Sequence, residues 1–249
     1  MLDRSAFLMP IAHRGLHNAK KGIIENSPPA FEAAIRHGYG IECDLRPAAG
    51  GLPIVFHDET LNRLVTGRGS VARLGPSDLK QLTYKHADVR IATFAELLDL
   101  VAGAVPLLVE VKSEWQTPQQ DFLGAIAKLA VRYRGPLALM SFDPAVMAAL
   151  KILAPGIPRG IVSGSFRGPG WWRPQIGKAR GVALRDLLES GPAAPDFYAY
   201  QVSALPTPVT QFVREVLGLP VFTWTVRSSK DRARAQKWAD AMIFEGFEP

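Results

Sequence analysis

Near its start the chain reads MPIAHRG, an apolar run that ends on His13 and Arg14. IECD then brings Glu42 and Asp44, IVFHD brings His57 and Asp58, and LLVEVK brings Glu110 and Lys112. Each polar pair closes a short apolar run. Glu42 and Asp44 are two residues apart, so in a strand they share one face and Cys43 takes the other. Glu110 and Lys112 share a face in the same way, with Val109 and Val111 opposite. Three carboxylates converging on one rim repel one another unless a cation lies between them. A hard divalent ion, Mg²⁺ or Ca²⁺, takes oxygen ligands of this kind. Arg14 and Lys112 add positive charge for an anionic substrate. His13 and His57 offer a general acid and a general base near neutral pH. A metal, a basic clamp and two proton carriers are what cleavage of a phosphodiester requires.

These residues can converge only if their strands lie side by side. Eight apolar runs punctuate the chain: FLMPIAH, GIECDL, PLLVEVK, PLALMSF, RGIVSG, DFYAYQVS, PVFTWTV and DAMIFE. Helical periodicity fills the intervals. SPPAFEAAIRHG has a serine cap, prolines in its first turn and a glycine stop. TFAELLDLVAG, TPQQDFLGAIAKLAVRY, DPAVMAALKILAPG, TPVTQFVREVLG and SSKDRARAQKWAD follow the same logic. In the Gly-, Pro- and Trp-rich stretch 164–195 we expect one helix over VALRDLLES and loop elsewhere. Strand and helix alternating eight times predict a parallel sheet. A length of 249 residues suits a (β/α)₈ TIM barrel. No composition break marks a linker, so one domain over 1–249 is expected. LPIVFHD follows IECDLR after only PAAGG, too short for a parallel crossover. It should therefore run antiparallel, a β-hairpin arm at the C-terminal mouth that returns His57 to the rim.

The bulk properties narrow the partners. The chain is 47% hydrophobic, 21% charged and carries a formal charge of +6. That basic surplus suits an anionic ligand. KDRARAQKW is mixed in sign and reads as a solvated helix face, so no nucleic-acid arm is expected. No run is long enough to span a bilayer, and no stable membrane insertion is expected. No signal peptide is visible, and one cysteine permits no intrachain disulfide, so a cytoplasmic setting is the expectation. The oligomeric state is not readable. A glycosidase using Glu42 and Glu110 is a competing reading, but sugar hydrolysis has no use for Arg14, Lys112 and a histidine pair. A structural ion network joining Glu42 and Asp44 to Arg14, Arg46 and Lys112 is another.

AHRG, Glu25–Asn26, ECD, VFHDETLNR, GRGSV, ATFAELL, VEVK, SFDP and FTWTV occur in one order along nearly the whole chain. In this the sequence resembles the glycerophosphodiester phosphodiesterase family, relatives of the phosphatidylinositol-specific phospholipase C barrels. The resemblance implies a TIM barrel that hydrolyses glycerophosphodiesters to glycerol 3-phosphate and an alcohol. It implies His13 and His57 as the acid–base pair, and Glu42, Asp44 and Glu110 as ligands of one divalent cation. Arg14 would grip the phosphate with Lys112 beside it. From their places before the first helix and on the seventh strand, Glu25 and Trp224 are expected at the substrate, the alternatives being a helix-entry residue and a barrel-filling tryptophan. In the mechanism it implies, the substrate's glycerol hydroxyl attacks phosphorus and the cyclic phosphate is then hydrolysed. One departure stands out: Glu245 and Gly246 occupy the positions where the family commonly has Thr-Asp. Glu245 is expected to reshape the glycerol side of the pocket. The Trp171–Trp172 loop leaves open a lysophospholipase D-type activity on lipid. A non-catalytic barrel that binds phosphodiesters is a third reading.

Overall fold

The computed structural model describes all residues except Pro169 and Trp171. The chain begins with a short helix, α1 (Arg4–Phe7), then β1 (Ile11–Ala12), α2 (Pro28–Arg36), β2 (Gly40–Pro47) and β3 (Pro53–Val55). After α3 (Pro76–Gln81) the alternation is regular: α4 (Phe94–Val101), β4 (Leu107–Val111), α5 (Gln120–Arg132), β5 (Leu137–Ser141), α6 (Pro144–Leu153) and β6 (Arg159–Ser163). It continues through α7 (Trp172–Arg185), β7 (Phe197–Gln201), α8 (Pro208–Gln211), β8 (Val221–Val226), α9 (Ser229–Trp238) and β9 (Ala241–Phe244). Neighbouring strands are parallel in the order β1-β9-β8-β7-β6-β5-β4-β2, and β1 also pairs with β2. That last pairing closes an eight-stranded barrel, the expected (β/α)₈ architecture. β3 pairs antiparallel with β2, Leu45 facing Val55, and forms the expected arm.

Two layers of core follow from strand alternation. Ile41, Cys43, Leu45, Val109 and Val111 face the helices, packed with residues such as Phe31, Phe94 and Leu123. Leu108, Met140, Val162, Phe197 and Phe222 fill the barrel interior, joined by Leu2 and Phe7 of the N-terminal segment. At Gly160 a side chain would meet the Phe197 ring at 2.2 Å, so glycine there makes room for the interior phenylalanine. A third cluster, around Phe56, Leu61 and Tyr84, lies under the arm and the segment that follows it.

One element differs from expectation. The helix between β6 and β7 begins at Trp172, ends at Arg185 and is interrupted at Gly177 (φ 70°). VALRDLLES supplies only its end. Trp172, Ile176 and Leu184 form a small buried cluster with Phe166 and Trp115. This packing overrides the low helix propensity of a glycine-rich segment. Trp172 is thus turned inward; Trp171 lies outside the described residues.

Candidate active site

β1 ends at Ala12, and the chain turns on Arg14 (φ 55°) and Gly15 (φ 76°). A Cβ at Gly15 would lie 2.9 Å from the Ala30 backbone, so HRG needs its glycine both for this conformation and for contact with α2. The turn aims His13 and Arg14 at the mouth. The register of β2 and β4 sets Asp44 directly beside Glu110, both on the inner face. Glu42, one inward position earlier on β2, completes the group. One carboxylate oxygen from each of Glu42, Asp44 and Glu110 lies within 4.8 Å of the others, and all three residues are buried. These oxygens suit a hard divalent ion, so the donor set fits a metal.

The cations expected among them are present. Lys112 Nζ lies 2.7 Å from Asp44 and 2.5 Å from Glu110. Arg14 Nε lies 3.3 Å from Asp44. Burial opposes the charge of Asp44, but Lys112, Arg14 and His57 hold its carboxyl well below the usual range. Glu42 goes the other way: burial, then the charges of Asp44 and Glu110, push it well up. Burial also raises Glu110, partly offset by Lys112. The cluster therefore still favours added positive charge, which a metal would satisfy.

Each histidine is held through Nδ1 by a carboxylate. His13 Nδ1 meets Glu245 Oε2 at 2.6 Å, and His57 Nδ1 meets Asp58 Oδ1 at 2.8 Å. A carboxylate at Nδ1 places the proton there and leaves the Nε2 lone pair for chemistry. Burial pushes both imidazoles down, His57 to about 4. Arg46 donates from Nε to the His57 carbonyl at 2.6 Å and pairs with Glu114, tying the arm to β2. It does not join the carboxylate trio.

Glu25 stands one step back from the mouth. It accepts from Arg14 at 2.6 Å and from Arg63 at 2.7 and 2.8 Å. Burial opposes its charge, but these arginines hold its carboxyl at about 2. Arg63 also donates to Asp58, so ion pairs run without a break from Asp58 to Arg14, with His57 hydrogen-bonded at the Asp58 end. Asn26, to which the sequence assigned no role beyond its motif, brackets Asp44. Its Nδ2 donates to Asp44 Oδ2 at 2.8 Å, and its Oδ1 accepts the Asp44 N–H at 3.2 Å. Its place in the Glu25–Asn26 motif was the available signal. Trp224 is half-buried, donates from Nε1 to the Ala199 carbonyl and meets Phe142 edge-on.

His13, Arg14, Glu42, His57, Glu110, Lys112 and Trp224 all line one cavity of about 610 Å³ at the barrel mouth. Trp115 and Phe142 form part of its apolar wall. Residues 13–247 match the model of the glycerophosphoryl diester phosphodiesterase family. The chain belongs to this family. A glycerophosphodiester phosphodiesterase of Caldanaerobacter subterraneus is 29% identical over 163 residues, 61% of this chain and 65% of that protein. A Mycobacterium tuberculosis relative is 29% identical over 171 residues, 59% of this chain and 61% of its own length. The matches thus cover less than two thirds of either relative. Among solved structures, an Oleispira antarctica phosphodiesterase in complex with the product sn-glycerol-3-phosphate superposes with a TM-score of 0.74 at 22% identity, covering 95% of this chain and 92% of that one. The glycerophosphodiester phosphodiesterase of Thermotoga maritima gives 0.70 at 22% identity, with coverage of 95% and 93%. Both share the family's fold. Among the described residues, no helix is long and apolar enough to cross a membrane.

Proposed function

We infer that the chain is a metal-dependent glycerophosphodiester phosphodiesterase, releasing glycerol 3-phosphate and an alcohol by acid–base catalysis at His13 and His57. The observation that carries this is one cavity wall on which two imidazoles, each oriented by a carboxylate at Nδ1, stand among Arg14, Lys112, Glu42 and Glu110. The sn-glycerol-3-phosphate in the Oleispira complex supports the same product class. Arg14 and Lys112 hold the phosphate. One imidazole takes the proton of the substrate's attacking glycerol hydroxyl at Nε2. As phosphorus bonds to that oxygen, its bond to the alcohol breaks, and the second ring, as imidazolium, protonates the leaving oxygen. The bound phosphate's negative charge favours that imidazolium despite burial. Water then opens the cyclic phosphate with the two roles exchanged. Glu42, Asp44 and Glu110 would hold one Mg²⁺ or Ca²⁺ ion, which when bound supplies charge neutralisation at the phosphate. Glu25 acts by fixing Arg14, and Trp224 forms a wall against which the substrate can pack.

The inward packing of Trp172 favours small soluble substrates over a lipid surface. A cytoplasmic setting, in which the buried thiol of Cys43 stays reduced, is part of this reading. The test is release of glycerol 3-phosphate from glycerophosphocholine by EDTA-stripped protein, then with Mg²⁺ or Ca²⁺ restored. Metal should restore release, and His57→Ala and Glu42→Gln should each abolish it. If the metal-loaded protein is also silent on the ethanolamine, glycerol and inositol diesters, the barrel binds phosphodiesters without cleaving them.

A further inference from the structure

A second set of ligand atoms lies beside the carboxylate trio. His13, His17 and Glu245 each bring one within 4.8 Å of the other two. They converge from the end of β1, the turn after it and the end of β9. His17 has no part in the reaction above. Its Nε2 is buried, with no hydrogen-bond partner among the described residues. A buried ring nitrogen that has lost its water without gaining a partner is unfavourable unless something binds it. Glu245 already meets His13 at Nδ1 and so brings a carboxylate to the two rings.

The geometry points to a second metal site at His13, His17 and Glu245, selective for a borderline transition ion such as Zn²⁺. Two imidazoles and one carboxylate are a zinc-type donor set, with a fourth position left for water. Mg²⁺ and Ca²⁺ prefer the all-oxygen trio. A tetrahedral ion with bonds of about 2.0 Å spaces its ligands by about 3.3 Å. The 2.6 Å contact between His13 and Glu245 must open slightly and His17 must close in, both by side-chain rotation. Arg227, which donates to Glu245 Oε2 at 2.8 Å and is 55% exposed, is released to solvent.

Occupation is inhibitory, a consequence that rests on the role proposed for His13. In the free protein the His13 proton sits on Nδ1 against Glu245, and Nε2 keeps its lone pair. An ion on Nδ1 displaces that proton, which passes through solvent to Nε2. No electrons move and the ring stays neutral, but Nε2 can no longer accept a proton from substrate.

EDTA-stripped full-length protein is titrated calorimetrically with Zn²⁺ alone, and with Co²⁺ while the visible ligand-field bands of four-coordinate nitrogen–oxygen ligation are followed. Native protein should bind Zn²⁺ at two places. His17→Ala should lose one of them together with the Co²⁺ bands, its affinity there weakened about 100-fold or more. The nearly isosteric Glu245→Gln should lose the same site, so the test stands if His17→Ala folds poorly. With Mg²⁺ saturating, Zn²⁺ should inhibit native glycerol 3-phosphate release. His17→Ala should match native activity without Zn²⁺ and resist it. Native stoichiometry and affinity for Zn²⁺ in both variants would overturn the site. The binding readouts need no turnover, so they decide the site even where the phosphodiesterase reading fails.

Discussion

Glu245 is the residue whose removal probes the catalytic geometry most directly. Its Oε2 lies 2.6 Å from His13 Nδ1 and 2.8 Å from Arg227. Burial opposes its charge, but these two partners hold its carboxyl far below the usual range, so it is ionised throughout the working pH range. A hydrogen bond to a charged group is worth about 1.5–3 kcal/mol and a neutral one about 0.5–1.5. Glu245→Gln keeps an acceptor and loses the charge, a difference of about 1–1.5 kcal/mol, or roughly 5- to 12-fold in rate. Glu245→Ala loses the whole bond and should slow the reaction roughly 10- to 150-fold. The loss should fall on kcat, because Glu245 orients His13 rather than gripping phosphate. It should also move the pH profile. Burial lowers the His13 pKa, while the bond and charge of Glu245 raise it. Removing Glu245 therefore drops the pKa further, and whichever limb His13 controls shifts to lower pH. The assay is kcat and KM for glycerophosphocholine across pH, with Mg²⁺ fixed. If Glu245→Ala keeps kcat within about twofold of native with an unmoved profile, the pairing is structural and His13 does not depend on it.

Three further outcomes are expected. Asp44→Asn removes one of the three ligating carboxylates and leaves Lys112 paired with Glu110, so calorimetry should show no Mg²⁺ binding at the trio. Gly15→Ala sets a Cβ against the Ala30 backbone at φ +76° and should lower stability by about 2 kcal/mol or more, read by thermal melting. Acid should remove two stabilising contributions from the metal-free protein. Burial takes His57 to about 4 from an ordinary 6.5, and the arginines take Glu25 to about 2 from 4.5 against burial. In both cases the folded state binds fewer protons than the unfolded one between those values. The His57 contribution should therefore fall as pH drops below 6.5 and the Glu25 contribution below 4.5, against the raised carboxyls of Glu42 and Glu110, which bind protons more readily in the folded state. A urea midpoint whose change from pH 6.5 to 4 is the same in His57→Ala as in native protein would contradict the first assignment, and one whose change from pH 4.5 to 2 is the same in Glu25→Gln would contradict the second.

Strand alternation alone paired Glu42 with Asp44 and Glu110 with Lys112 on one face, because a strand's period of two is a local property. The short PAAGG link alone made β3 an antiparallel arm, because a parallel crossover cannot be that short. Eight strands separated by helical patterns implied the barrel, and the barrel implied a shared mouth. The sequence could not say that helix α7 begins at Trp172, since that depends on Phe166 and Trp115 packing against it from elsewhere in the chain. Nor could it say which carboxylate holds which histidine. Asp58 follows His57 directly, but Glu245 lies 232 residues from His13 and meets it only because β1 and β9 pair when the barrel closes. Asn26 bracketing Asp44 and Arg63 bridging Glu25 to Asp58 belong with Glu245. Each is a contact between segments distant in sequence, set by strand register and loop docking. Residue types and local spacing determined the chemistry available to this chain. Barrel closure decided which groups hold the reacting ones in place, because only closure brings the first and last strands together.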